Sequence, residues 1–212
     1  MSDPVPSILL LIPAYNEEHR IGPVLDAYAR VFSTLLGPSS SIVVVLNGCR
    51  DATLNVVLKA ESQFPSISHI EFNDPIGKGG ALIEGLRLAP RAEFIGYVDA
   101  DGATPPNAFL DLVRHAVSSG SDCVVGSRWL PESTITHLQP EKRRFASRLF
   151  HLFVEAFFRM GIADTQCGAK VIRRGAIEAI HDRLELADLA FDVNLLYSLN
   201  RGGFSMSEVP TI

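Results

Sequence analysis

Short apolar runs alternate with longer amphipathic stretches along nearly the whole chain. Ser7 to Pro13 (SILLLIP), Ser41 to Leu46 (SIVVVL), Ile67 to Phe72, Phe94 to Val98 and Asp122 to Gly126 (DCVVG) are the short blocks. Continuous apolar blocks of this length suit strands covered on both faces. Between them, Ile21 to Leu36, the segment from Asp51 to about Phe64, Gly77 to Leu88 and Pro105 to Ser119 carry helical spacing. Gly37-Pro38 stops the first of these helices, and Asp51 is suited to cap the second. Further on, the pattern predicts a long helix over 143–160, a short strand at Val171-Ile172 and helices from Gly175 to His181 and Leu189 to Asn200. A last strand runs from Phe204 to Val209. This alternation predicts one α/β domain over residues 1–212, with a mainly parallel sheet and helices on both faces. Ligands of such sheets bind beyond the carboxyl ends of the strands. The polar loops 14–18, 47–51 and 99–104 all fall at those ends.

Composition narrows the class. An apolar fraction of 47% over 212 residues excludes a disordered chain and supplies one sizeable core. The net charge of −5, with acidic and basic residues mixed, gives no footprint for nucleic acid. Cys49, Cys123 and Cys167 lack metal-ligand spacing, which points to reduced thiols and a cytoplasmic setting. Met-Ser-Asp-Pro carries no basic region ahead of its apolar run, and no run reaches the roughly 18 apolar residues of a membrane span. A soluble or peripheral protein is expected.

The chemistry concentrates at Ile95-Gly-Tyr-Val-Asp99-Ala-Asp101-Gly-Ala-Thr-Pro-Pro106, where an apolar run feeds into two carboxylates. In an extended segment, side chains at i and i+2 point the same way. Two anions that close repel each other unless a cation or proton lies between them. A hard divalent ion carrying a diphosphate meets that need, and Mg2+ or Mn2+ suits oxygen ligands. The plainer alternative is a pair of solvated turn aspartates ahead of a Pro-capped helix.

Several motifs together resemble one family. Pro13-Ala-Tyr-Asn-Glu17, the loop at 46–53, Asp99-Ala-Asp101 and Gly126-Ser-Arg128 are similar to glycosyltransferase family 2, whose members have the GT-A fold. Asp99 to Thr104 (DADGAT), Asp164 to Lys170 (DTQCGAK) and Ala190 to Tyr197 (AFDVNLLY) resemble its dolichyl-phosphate β-glucosyltransferase and polyprenyl-phosphate glycosyltransferase subfamily. The likeness implies a Rossmann-like mixed sheet, with a nucleotide-sugar half over about 1–104 and an acceptor half over about 105–212. It also implies a nucleotide-sugar site drawn from Pro13, Tyr15, Glu17, Asn47, Lys78, Asp99, Ala100 and Asp101, with the metal on Asp99 and Asp101. The family usually has two aspartates at 46 and 47; this chain has Leu46 and Asn47, and Asn offers both an acceptor and a donor to a base. Lys78 lies in a Gly-rich turn opening a helix, where a diphosphate is favoured. A solvated turn lysine is the alternative. Where relatives place a further metal-holding side chain, this chain has Ala103.

On the acceptor side, a lipid monophosphate ionises a second time near pH 6. Its attacking oxygen is then already anionic, and cationic docking matters more than a strong base. The resemblance assigns acceptor-phosphate binding to Arg128, with Arg143, Arg144 and Arg148 as further candidates; a solvated basic face is the alternative for that cluster. Asp164 and Asp192 join Asp101 and Arg128 as candidate catalytic residues, either to orient a ligand or to move a proton. Cys167 is expected to pack rather than react, because inversion needs no covalent intermediate.

In the helix over 143–160, Phe145, Leu149, Leu152, Phe153, Ala156, Phe157 and Met160 share helical spacing, opposite Arg144, Arg148, His151, Glu155 and Arg159. A broad apolar face beside a basic stripe suits a helix lying on a bilayer; burial against the sheet and a homodimer contact are the alternatives. The combined expectation is a metal-dependent inverting enzyme at the cytosolic membrane face. It would move a hexose, glucose above all, from a UDP-sugar to a polyprenyl or dolichyl phosphate. A same-fold transferase to a soluble hydroxyl acceptor, with Asp192 as base, is the rival. From another class, so is a non-catalytic nucleotide-sugar-binding module.

Overall fold

A computed structural model describes residues 6–88, 92–133, 157–158, 160–188 and 190–211. Among them, seven strands form one sheet in the order β3-β2-β1-β4-β6-β5-β7. The strands are β1 (Ile8–Ala14), β2 (Ser41–Asn47), β3 (Ile67–Phe72), β4 (Phe94–Tyr97), β5 (Cys123–Ser127), β6 (Lys170–Arg173) and β7 (Met206–Pro210). The helices are α1 (Ile21–Val31, continued by a π-turn over Phe32–Leu36), α2 (Thr53–Gln63), α3 (Gly77–Leu88), α4 (Pro106–Ser119), α5 (Arg174–Ile180) and α6 (Phe191–Arg201). The expected elements are present to within a few residues at each end. The helix predicted over 143–160 lies outside the described residues except for Phe157, Phe158 and Met160.

β1 pairs in parallel with β2 and β4, β2 with β3, and β5 with β7. β6 runs antiparallel between β4 and β5. That one reversal matters for the site. The first residue of β6, Lys170, stands at the edge where the parallel strands end, directly opposite Tyr97.

The two faces can be told apart from close contacts. Gly85 of α3 lies against Leu11 and Val45, so α3 covers the face to which Leu11 points. Gly96 pairs with Leu10, whose side chain points the other way, and its missing side chain makes room for Phe109 of α4. Any Cβ at 96 would lie 2.5 Å from that ring. α1, packed on α2 and α4, covers this second face, while α3 packs against α6. Burial on both faces explains why β1 and β2 read as unbroken apolar runs: Ile8 through Ile12 and Ile42 through Leu46 are all buried.

Candidate active site

The loops after β1 and β2 are sewn to each other. The Glu17 amide donates to Thr53 Oγ1 at 2.7 Å, and the Ala52 amide to Glu18 Oε2 at 2.8 Å. The Arg50 amide donates to Asn16 Oδ1 at 2.8 Å, with Asn16 in the left-handed region at φ 55°. Asp51 accepts from the amide and hydroxyl of Thr53 and from the Glu18 amide. Burial opposes its charge, yet these hydrogen bonds hold its carboxyl below the usual range. Asp51 therefore closes the turn ahead of α2 and ties the two loops together; the N-cap itself is Ala52, one residue later than expected.

On this frame Tyr15 is 51% exposed, so its ring faces outward and is not a packing aromatic. Pro13 is half-buried at the end of β1. Both oxygens of Glu17 accept from Arg20, at 2.6 and 2.7 Å. Asn47 is buried, and its Oδ1 accepts the Ile76 amide at 2.7 Å. One of the two lone pairs of that oxygen is thus engaged.

Strand β4 stops at Tyr97, so Asp99 and Asp101 stand in the turn beyond it rather than on an extended segment. Of the two, Asp99 is the one that a cation holds. Lys78 Nζ lies 2.5 Å from Asp99 Oδ1. Burial works against the Lys78 charge, but Asp99, Asp192 and Asp101 outweigh it and raise its pKa. Lys78 is accordingly not a solvated turn residue. The glycines around it serve packing: a Cβ at Gly77 or Gly79 would run into the backbone at Leu186 and Ala187, and the Gly80 amide donates to Ala187 O. Asp101 is exposed and accepts the Ala103 amide at 2.9 Å, while Ala100 between the pair is buried. The other side of Asp99 rests on Gly168, where a Cβ would lie 2.2 Å from Oδ2.

These residues fit a divalent ion. Two hard carboxylates follow β4 two residues apart, one of them paired with the Lys78 ammonium, and no cage of three or more His, Cys, Asp or Glu occurs among the described residues. An ion there would take two protein ligands and complete its shell with diphosphate and water.

Across the sheet, Ser127 ends β5 and Arg128 follows it. Its Nε and Nη2 donate to Asp164 Oδ2 and Oδ1 at 2.7 and 2.8 Å, and its amide donates to Oδ2 at 3.0 Å. Asp164 is 2% exposed. This fork, in a partly buried setting, raises the Arg128 pKa further. Glu208 of β7 accepts the amides of Ala163 and Asp164, both at 2.9 Å, and so fixes the loop carrying Asp164. Arg143, Arg144 and Arg148 lie outside the described residues. Cys167 and Cys123 are buried, which pushes their thiols up to about 11 and about 12.

Asp192 has partners that sequence reasoning missed. Its Oδ1 accepts from Lys170 Nζ at 2.6 Å and from the Tyr97 hydroxyl at 2.5 Å. Lys170 also donates to Cys167 O at 2.7 Å and sits over the Tyr97 ring. Burial, foremost, and the Asp192 charge keep the Tyr97 phenol protonated well above its usual range. The available signal was positional: Lys170 immediately precedes Val171-Ile172, so a strand beginning there carries it into the core.

The order of the strands, the reversed β6 and the carboxylate pair beyond β4 define a GT-A fold. Glucosyl-3-phosphoglycerate synthase of Mycobacterium tuberculosis, solved with Mn2+, UDP and glucosyl-3-phosphoglycerate, superposes with a TM-score of 0.71 at 16% identity, over 97% of this chain and 70% of that one. S. aureus TarS (residues 1–349) gives 0.65 at 19% identity, over 96% and 58%. The chain belongs to glycosyl transferase family 2, whose model matches residues 9–180. Among curated relatives, a dolichyl-phosphate β-glucosyltransferase of Dictyostelium discoideum is 31% identical over 98% of this chain and 67% of its own length. Glycosyltransferase AglD of Haloferax volcanii is 30% identical over 96% of this chain but 32% of its own. The chain thus spans about a third of the archaeal relative and about two-thirds of the eukaryotic one.

Proposed function

We propose that the chain is a metal-dependent inverting transferase that moves glucose from UDP-glucose to a polyprenyl or dolichyl phosphate. The supporting observation is a pairing at one sheet edge. Two carboxylates, of which Asp99 is paired with Lys78, lie beyond β4, and an arginine fork fixed by Asp164 lies beyond β5. The first suits a metal-bound diphosphate, the second an acceptor phosphate. The names of the curated relatives support the choice of acceptor and sugar.

In this reading Tyr15 stacks the base, Glu17 meets the ribose, and the Asn47 NH2 donates to a base carbonyl. Asp99 and Asp101 hold Mg2+ or Mn2+, which when bound neutralises charge on the departing diphosphate. Lys78, beside Asp99, adds a second positive charge there. Arg128 keeps the acceptor phosphate in place through the guanidinium edge that Asp164 leaves open. A phosphate oxygen forms the new bond to the anomeric carbon. The bond from that carbon to the diphosphate oxygen breaks, and its electron pair leaves with UDP. No proton has to move, because the attacking oxygen is anionic at neutral pH.

No described helix is long and apolar enough to cross a membrane. Attachment at the cytosolic face through the segment 143–160 fits a lipid acceptor. Mass spectrometry of products from a panel of nucleotide sugars with a short polyprenyl phosphate tests the proposal. A polyprenyl-phosphate hexose formed only with divalent ion is the expected product. Transfer solely to sugars or small alcohols would refute it.

A further inference from the structure

A buried lysine calls for a reason. Desolvating an ammonium costs several kcal/mol, which partners offset only with good geometry, and an apolar residue would fill the same space without that cost. Lys170 nevertheless has no exposed surface, and its ammonium meets Asp192 Oδ1 at 2.6 Å. Tyr97, its neighbour across β4 and β6, donates to that same oxygen. Asp192 also lies in the first turn of α6, where the helix N-terminus favours an anion. Lys170 and Tyr97 together fix one carboxylate through one oxygen, and Oδ2 is left as the oxygen for a ligand. The carboxylate borders the donor cluster: α3, which carries Lys78, packs on α6, and a Cβ at Gly79 would lie 2.7 Å from Phe191 Cβ, next to Asp192.

We propose that Lys170 and Tyr97 are positioning residues that hold Asp192 as a fixed acceptor for a hydroxyl of the donor sugar, and that Asp192 does not serve as the base. The inference rests on the donor-site reading above. Its chemistry is consistent with a phosphate acceptor, which brings no proton that a base must take. An anion held in one orientation suits sugar hydroxyls, whose direction distinguishes one hexose from another.

The test compares the affinity of UDP-glucose with that of UDP, both with Mn2+, by calorimetry. It uses wild type, Asp192→Asn, Lys170→Met, Tyr97→Phe and the double variant K170M/D192N. Losing one hydrogen bond to a charged group lowers UDP-glucose affinity roughly 10- to 100-fold. That loss is expected for D192N and K170M, a smaller one for Y97F, and UDP affinity should stay within about twofold of wild type, the scale of an untouched site. Removing Lys170 alone leaves Asp192 buried and unpaired, so K170M is expected to melt lower. The double variant restores neutrality and should recover the melting temperature without recovering the sugar's contribution, which separates positioning from scaffolding. Loss of kcat in D192N with unchanged UDP-glucose affinity would overturn the inference in favour of a base. Equal weakening of UDP and UDP-glucose in the double variant would overturn it in favour of a structural role. Wild-type protein that bound UDP but gained nothing from the glucose would overturn the inference alone. Protein that bound neither would overturn the donor-site reading and the inference with it.

Discussion

A single methyl group at position 168 tests the carboxylate pair without replacing either carboxylate. In Gly168→Ala the new Cβ would stand 2.2 Å from Asp99 Oδ2 and 2.8 Å from its Cγ. Ordinary contact lies near 3.4 Å or beyond, so Oδ2 has to retreat by roughly 1 Å. Gly168 is not among the glycines with positive φ, so the backbone accepts alanine. The clash is with the end of a side chain, which rotates more cheaply than a backbone shifts. Overpacking of that kind costs about 1 kcal/mol, and a domain of this size then melts about 2–4 °C lower. The functional effect is larger, because Asp99 leaves its Lys78 partner and, in the proposed reading, the metal. A displacement near 1 Å at a reacting centre costs about 100-fold in rate. The assays are Mn2+ titration in the presence of UDP, followed by paramagnetic resonance, and kcat/KM for transfer. Gly175→Ala, where a Cβ meets nothing within 4 Å, is the control. A G168A protein that bound Mn2+ with UDP and turned over within about twofold of wild type, far from the factor above, would refute the placement of Asp99 at the metal.

The remaining predictions concern the two ends of the site and the thiols. Asp101→Asn is expected to abolish metal-stimulated turnover while leaving the melting temperature nearly unchanged, because Asp101 is exposed; retained stimulation by Mn2+ would contradict it. Asp164→Ala strips Arg128 of a two-pronged partner in a partly solvated setting, and should lower stability by about 2–3 kcal/mol. It should also raise the acceptor KM more than the donor KM, and a uniform change in both would argue against an acceptor role. At pH 8, thiols held at about 11 and about 12 carry almost no thiolate. Alkylation should therefore modify Cys49 and spare Cys167 and Cys123 in the folded protein, with peptide mapping as the check.

The elements were legible because each carries one dominant signal. β1 and β2 are unbroken apolar runs since both faces are covered, and α1 stops at Gly37, whose φ of 70° few other residues adopt readily. The site was legible where polar loops interrupt strand ends, as at Asp99, Asp101 and Arg128. It was not legible where the informative fact is a partner across the sheet. Lys170 has the same letter as a surface lysine, and only the antiparallel register of β6 against β4 places it opposite Tyr97. Gly168 acts by lacking a side chain, and the Glu208 carboxylate by receiving two backbone amides. Neither role leaves a spacing to recognise. For Asn47 the residue type suggested a donor and an acceptor, and the fold adds that the Ile76 amide takes one lone pair of its oxygen.

The reversed strand also sets an order of assembly on the ribosome. Strands β3, β2, β1 and β4 can associate once about the first hundred residues have emerged, at a synthesis rate of roughly 5–20 residues per second. The far side of β4 then waits for β6, some seventy residues later, with its amides and carbonyls bare. Gly96, the least bulky residue on that strand, gains its β6 partner only when Val171 arrives. A chain halted between these two points presents a bare edge, a ready template for intermolecular pairing.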